Sequence, residues 1–253
     1  MKFKQYLTES GKWGSLTLEK TVDIIKINAV QIFRGTYIDS KYPKIYTGYD
    51  ERINSILINT NEMPDMVTPA KVSNRWVTGY KLALLMDNLP SWVGYPKKIK
   101  GLVCWSNRAS VYKGKTYHVI PFDNVTRIGI SSSFDLVEDF TYGLNGYTWD
   151  VFNDYLNETF RKLNIKIVDY TSLVKALELV NETVPEGRYK FGVFKPGRNI
   201  MLYLDEILSP IKNMFKMGID NVTFDKAMWI QGNSILINKW GLDDVINEYN
   251  KGV

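Results

Sequence analysis

An α+β fold is predicted for this chain from three observations. Strand-like segments lie in residues 28–130 and again in 227–238, and a stretch of helical periodicity separates them over about 131–217. The hydrophobic share is 45% over 253 residues, enough apolar surface to bury a full core. No internal repeat and no low-complexity segment interrupts this pattern.

The elements follow in order. Residues 16–26 are amphipathic, with Leu18, Val22 and Ile25 on one helical face. Residues 28–35 read as a strand that ends at Gly35. Residues 40–72 read as loops and short strands, with 52–58 the best strand among them. A helix is predicted over 77–88, stopping before Pro90. Strands follow at 101–105, 116–121 and 127–130, then helices at 134–142, 149–163, 172–180 and 200–215, the last kinked by Pro210. Two strands, 227–231 and 234–238, flank Gly232-Asn233, a hairpin signal, and a helix over 242–249 closes the chain.

Composition narrows the chemistry. The single cysteine, Cys104, excludes an internal disulfide framework, and the single histidine, His118, excludes a cluster of histidine metal ligands. The formal charge of +5 comes from 32 basic and 27 acidic residues, with no long basic run. Lys97-Lys98-Ile99-Lys100 is the densest basic patch and reads as a solvated loop, with polyanion binding as the alternative. Mean hydropathy is −0.21, and no apolar run approaches the ~20 residues of a membrane span. There is no phosphate-loop motif. His118 and Cys104 read as packed strand residues, and Ser131-Ser132-Ser133 as a helix cap. Glu178 and Glu182, one turn apart, read as a solvated helix face.

The candidate chemistry lies in four segments: Phe33-Arg34-Gly35, Cys104-Trp105-Ser106, Tyr117-His118-Val119-Ile120-Pro121 and Asp225-Lys226-Ala227-Met228-Trp229. Arginine is permanently charged and makes forked hydrogen bonds to phosphate, and a following glycine lets a ligand approach the backbone. In this order the segments resemble the scaffold of an ADP-ribosyltransferase of the Arg–Ser–Glu type. The resemblance implies a core of packed β-sheets with a helical insertion, NAD as co-substrate and no metal. It assigns NAD phosphate to Arg34 beside Gly35 and the nicotinamide ribose to Ser106. Tyr112 or Phe122 would stack on the nicotinamide, with core packing as the alternative for both. Asp225 would help activate the acceptor.

The family's catalytic glutamate falls on Ala227, which has no group to stabilise an oxocarbenium-like centre. Three readings of Ala227 stand: an engineered Glu→Ala variant, a natural pseudoenzyme, or a shifted register in which Asp225 or another acid serves.

The first ten residues, charged and amphipathic without the apolar core of a secretory signal, resemble the capsid-targeting peptide of internal head proteins in T-even-like tailed phages. Leu7-Thr8-Glu9 fits the site of a prohead protease, and a plain amino-terminal helix is the alternative. The expected organisation is a tag over 1–9 and one domain over 10–253. The expected setting is the virion head interior and then the host cytoplasm, away from membranes. The expected activity is transfer of ADP-ribose from NAD to a host protein target, with nucleic acid or a small molecule as alternative acceptors. A non-catalytic internal head protein that binds and inhibits a host protein is the competing expectation.

Overall fold

The computed structural model describes residues 15–49, 53–60, 74–111, 115–124, 126–131, 148–183, 187–189, 192–194, 200–209 and 215–251. The amino-terminal tag, Tyr112, Pro210 and the helix expected over 134–142 lie outside the described residues.

Helix α1 (Leu18–Asn28) starts at Thr17, whose hydroxyl accepts the Lys20 amide at 3.3 Å. A short helix α2 (Val30–Phe33) follows and runs on into a π-helical turn, Arg34–Ile38, closed by the Asp39 amide on the Arg34 carbonyl at 2.8 Å. The expected strand over 28–35 is therefore a helix. Its initiation is tertiary: the Asp123 carboxylate accepts the amides of Gln31 and Ile32, each at 2.9 Å, and so caps a helix 91–92 residues away in sequence. Alternating Val30 and Ile32 suggest a strand locally; the distant cap and burial of Phe33 override that preference.

Strands β1 (Tyr46–Tyr49) and β2 (Ser55–Asn59) come next, then α3 (Asn74–Asn88) and β3 (Leu102–Trp105). Strands β4 (Lys115–Pro121) and β5 (Arg127–Ser131) precede α4 (Thr148–Lys162) and α5 (Tyr170–Thr183). A small hairpin, β6 (Gly187–Tyr189) and β7 (Gly192–Phe194), leads to α6 (Ile200–Leu208). The chain ends with β8 (Phe215–Met217), β9 (Ala227–Gln231), β10 (Asn233–Asn238) and α7 (Lys239–Lys251). The turn at Gly232 between β9 and β10 has φ 126°, a conformation that favours glycine.

The chain forms two compact units, residues 1–64, 100–130 and 217–253 in the first and 65–99 with 131–216 in the second. The eight-stranded sheet has the order β2-β10-β4-β1-β3-β9-β5-β8, and its registered pairings are antiparallel. The alternation of each strand divides its side chains between two apolar layers. On one face Leu57, Ile120, Ile235 and Ile237 pack with Val22, Ile25 and Phe33 and with Leu242, Val245 and Tyr249 of α7. On the other face Ile56, Ile58, Leu102, Cys104, Tyr117, Val119, Met228 and Ile230 form the second layer. Each fully buried Ile or Leu contributes about 1.5–3 kcal/mol of transfer free energy, so these layers hold the sheet together.

In the second unit α5 packs against α3, α4 and α6, burying Leu173, Ala176, Leu177 and Val180. Asp205 accepts the Ser91 amide at 3.1 Å and its hydroxyl at 2.5 Å. Two lysines are buried here. Lys81 donates to the Asn157 side-chain oxygen and lies 5.0 Å from the Phe160 ring centre. Lys98 sits between Trp92 and Phe215, 4.8 and 5.4 Å from their ring centres.

Candidate functional site

Ser106, Asp225 and Ala227 are brought together where β3 ends and β9 begins. Antiparallel pairing sets Trp105 opposite Ala227, which places Ser106 against the turn before β9. Ser106 Oγ donates to the Thr223 carbonyl at 2.6 Å and accepts the Lys226 amide at 3.0 Å, while its own amide donates to the Lys226 carbonyl at 3.1 Å. The hydroxyl proton is thereby committed. A ligand hydroxyl could reach Ser106 only as a donor to the remaining lone pair.

The turn that Ser106 grips carries Phe224 and Asp225 at its tip. Asp225 adopts φ 64°, and its carboxylate accepts Asn107 Nδ2 at 3.2 Å and Ser110 Oγ at 3.4 Å. Asp225 is exposed, so its free oxygen is open to an incoming donor. Ala227 is buried at the start of β9 and presents only a methyl group.

Ala227 stands at the end of a row that crosses the sheet. His118 lies opposite Tyr46, Tyr46 opposite Trp105, and Trp105 opposite Ala227. Directly opposed residues of neighbouring strands project from one face, so all four share the face on which α2 packs against β4. With strands about 4.8 Å apart, His118 and Ala227 are separated by roughly 14 Å.

Arg34 belongs to the other end of this row. Its helical segment meets the sheet at His118, where Tyr37 Oη lies 3.2 Å from Nδ1 of the imidazole. Phe33 and Gly35 face inward, while Arg34 is exposed and its guanidinium makes no ion pair among the described residues. No hydrogen bond joins Arg34 to the Ser106–Asp225–Ala227 group.

Gly35 has a packing reason of its own. A Cβ there would come within 2.5 Å of the Tyr42 ring, and the Gly35 carbonyl accepts the amides of Lys41 and Tyr42 at 2.6 and 2.9 Å. Phe122 is buried in the apolar layer with Phe33 and Ile120, which is the packing alternative for this residue.

The residues that sequence reasoning left out surround His118. Tyr46 lies tilted against the imidazole at 4.9 Å between ring centres and Tyr37 stands edge-on at 5.8 Å. Burial, then the Lys44 and Arg108 cations, lower the imidazole pKa to about 4, opposed by Asp243. The ring is therefore neutral at pH 7. Burial also raises the Tyr37 and Tyr46 hydroxyl pKa values, so both keep their protons. The signal in the sequence was the single histidine inside an aromatic strand, and only the register could show which aromatics flank it. Cys104 is buried, and burial raises its thiol well above the ordinary range, so it is no nucleophile at neutral pH.

Among the described residues no group of His, Cys, Asp and Glu side chains could hold a metal ion, and no helix is long and apolar enough to cross a membrane. Fold and site define a mixed α/β protein with an eight-stranded antiparallel sheet, one face of which carries an aromatic row ending at a serine-clamped turn. Comparison with protein families, characterised proteins and solved structures finds no significant match.

Proposed function

We propose that this chain is an ADP-ribosyltransferase-like protein of a tailed phage, packaged in the head and delivered to act on a host target. The observation that carries the reading is the Ser106 clamp. Ser106 and residues 225–227 are about 120 positions apart, yet one hydroxyl bonds both sides of the turn that leads to Ala227. That is the neighbourhood the reaction needs: a ribose-binding serine next to the position of a catalytic carboxylate.

In this reading NAD lies along the aromatic row. Arg34 contacts its phosphates at the His118 end, and Ser106 accepts a hydrogen bond from the nicotinamide ribose. NAD supplies the reactive bond. The C1′–N bond breaks, nicotinamide leaves with the bonding electrons, and the acceptor nucleophile forms the new bond to C1′ as it loses its proton. Asp225, exposed at the tip, receives that proton. A carboxylate at 227 would stabilise the positive charge that develops on the ribose, and Ala227 leaves that charge unopposed.

The test is Ala227→Glu in the full chain, assayed for NAD hydrolysis and for labelling of host lysate. Both activities are expected in Ala227→Glu and lost again in the Ala227→Glu/Arg34→Ala double variant. A folded Ala227→Glu protein that neither hydrolyses NAD nor labels any acceptor overturns the reading.

A second reading is favoured by one observation: the Ser106 proton is bound to a backbone carbonyl and the neighbouring catalytic position is a buried methyl. On this reading the scaffold is a non-catalytic internal head protein that binds and inhibits a host protein. It predicts that Arg34→Ala leaves the biological effect intact.

A further inference from the structure

We infer that Lys81 and Asn157, which meet between α3 and α4 in the second unit, form a binding site for a monocarboxylate. Neither residue belongs to the Arg34–Ser106–Ala227 set or to the aromatic row, both of which lie in the first unit.

The first observation is a buried charge without a counter-charge. Lys81 is 3% exposed. Its ammonium donates to Asn157 Oδ1 and lies 5.0 Å from the Phe160 ring centre, and it makes no ion pair among the described residues. An ammonium brings three donors and a full positive charge; the neutral amide oxygen takes one donor and offsets none of the charge. Lys98, buried in the same unit, is the contrast: its own backbone amide is held by the Asp87 carboxylate at 2.7 Å, so an acid stands beside it. A buried ammonium without an acid costs the chain stability, and a ligand anion would recover that cost.

The second observation is an idle donor next to that charge. The ammonium cannot accept a hydrogen bond, so the Asn157 amide turns Oδ1 toward it. Nδ2 is the other arm of the same planar group, and it has no hydrogen-bond partner among the described residues. Asn157 is half-buried where Lys81 is buried, so its amide joins the interior to the solvent side of α4.

The donors select the ligand. An ammonium N–H and an amide N–H, supplied by two helices, match the two oxygens of one carboxylate. One negative charge balances one ammonium, whereas a phosphate monoester, at about −1.5 to −2, would leave an excess of negative charge beside a buried group. Leu84 and Leu85 follow Lys81 by one turn of α3, and Leu156 and Phe160 flank Asn157 on α4; all four are buried. An aliphatic tail on the carboxylate would find apolar partners there, so the source is either a short acid or one that carries such a tail.

The experiment incorporates lysine labelled with carbon-13 at Cε into the full-length chain and identifies the Lys81 signal by its loss in Lys81→Met. Acetate and hexanoate are titrated at constant ionic strength, with chloride as the control, and affinities are measured by calorimetry. A saturable shift of the Lys81 signal is expected with the carboxylates. At saturation the Lys81 pKa should move up from about 8 by roughly one unit, which by linkage is about tenfold tighter binding to the ammonium than to the amine. Lys81→Met should weaken binding by about 10–100-fold, the range for a lost hydrogen bond to a charged group. Asn157→Asp keeps the size of the side chain and supplies the missing charge from within, so it should raise the Lys81 pKa without ligand and abolish binding. Tighter hexanoate binding assigns an acid with an aliphatic tail, and equal affinity assigns a short acid. A response no larger than that to chloride, or an affinity that Lys81→Met and Asn157→Asp leave unchanged, overturns the inference. The assay contains neither NAD nor a host acceptor, so its failure and the failure of the transferase reading are separable.

Discussion

Asp123 caps the helix that carries Arg34: its carboxylate accepts the Ile32 amide at 2.9 Å, with a matching bond from Gln31. The Asp123 amide in turn donates to the Asn28 carbonyl at 2.8 Å, so the β4–β5 turn is tied to the start of this helix in both directions. Asp123→Ala should destabilise the chain by about 1 kcal/mol, within the 0.5–2 kcal/mol range of helix caps. Denaturant unfolding measures the loss, and Asp123→Asn should recover part of it, because the amide oxygen can accept one of the two bonds.

Ser106 holds the turn before β9 from both sides. Ser106→Ala leaves the Thr223 carbonyl and the Lys226 amide without their partner and should cost about 1–3 kcal/mol. Hydrogen exchange localises the effect: the Lys226 amide should lose protection while amides in β10 keep theirs.

Gly35 and Tyr42 are a matched pair. Gly35→Ala drives a methyl group into the Tyr42 ring at 2.5 Å and should destabilise by about 1–3 kcal/mol. The Gly35→Ala/Tyr42→Ala double variant should recover most of that increment. A double-mutant cycle with no coupling would show that the ring simply moves aside.

The two buried lysines make the stability of the second unit depend on alkaline pH. Burial lowers the pKa of Lys81 and of Lys98 from 10.5 to about 8. Between these values the unfolded chain holds protons that the folded chain has released, so stability rises with pH from about 8 to 10.5 and falls back as pH drops through 8. Urea midpoints at pH 7, 8, 9 and 10 should climb. Lys81→Met should raise the midpoint at pH 7 and reduce the slope.

Acid acts through His118. Its pKa is lowered from 6.5 to about 4 by burial, Lys44 and Arg108, so its contribution to stability is complete above pH 6.5 and lost as pH falls through 4. A stability profile from pH 7 to 3.5 should decline over that window, superimposed on the carboxylate titrations. His118→Phe should flatten the decline that belongs to the ring.

Much of the sheet was legible because its strands have strong local signals. The apolar run Leu102–Trp105, the Thr116–Pro121 stretch and the pair joined at Gly232 alternate or stay apolar with β-rich residues, and all are strands. Strand β1 was missed as a defined element. Tyr46-Thr47-Gly48-Tyr49 is short and holds a glycine, yet it sits between β4 and β3 and sets the aromatic row. Its neighbours on both sides, not its own preference, make it a strand. At the site, the proximity of Ser106 to residues 225–227 was expected on resemblance, but the commitment of the serine proton was not. A hydroxyl's partners depend on backbone groups that no residue code describes.

The amino-acid sequence by itself determined the mixed α/β character, most strands of the sheet, the helices Thr148–Lys162 and Tyr170–Thr183 and the exclusion of an internal disulfide, because periodicity and residue counts act locally or by composition; the expected helix over 200–215 instead ends at Leu208, and Phe215 begins a strand. The tertiary structure alone decided that residues 30–38 are helical, that His118 lies in a row with Tyr46, Trp105 and Ala227, and that Lys44 and Arg108 bear on one imidazole. Each of those outcomes depends on strand register or on a hydrogen bond between residues far apart in the chain. Their free energy exists only once the sheet has formed, so no local preference could encode them.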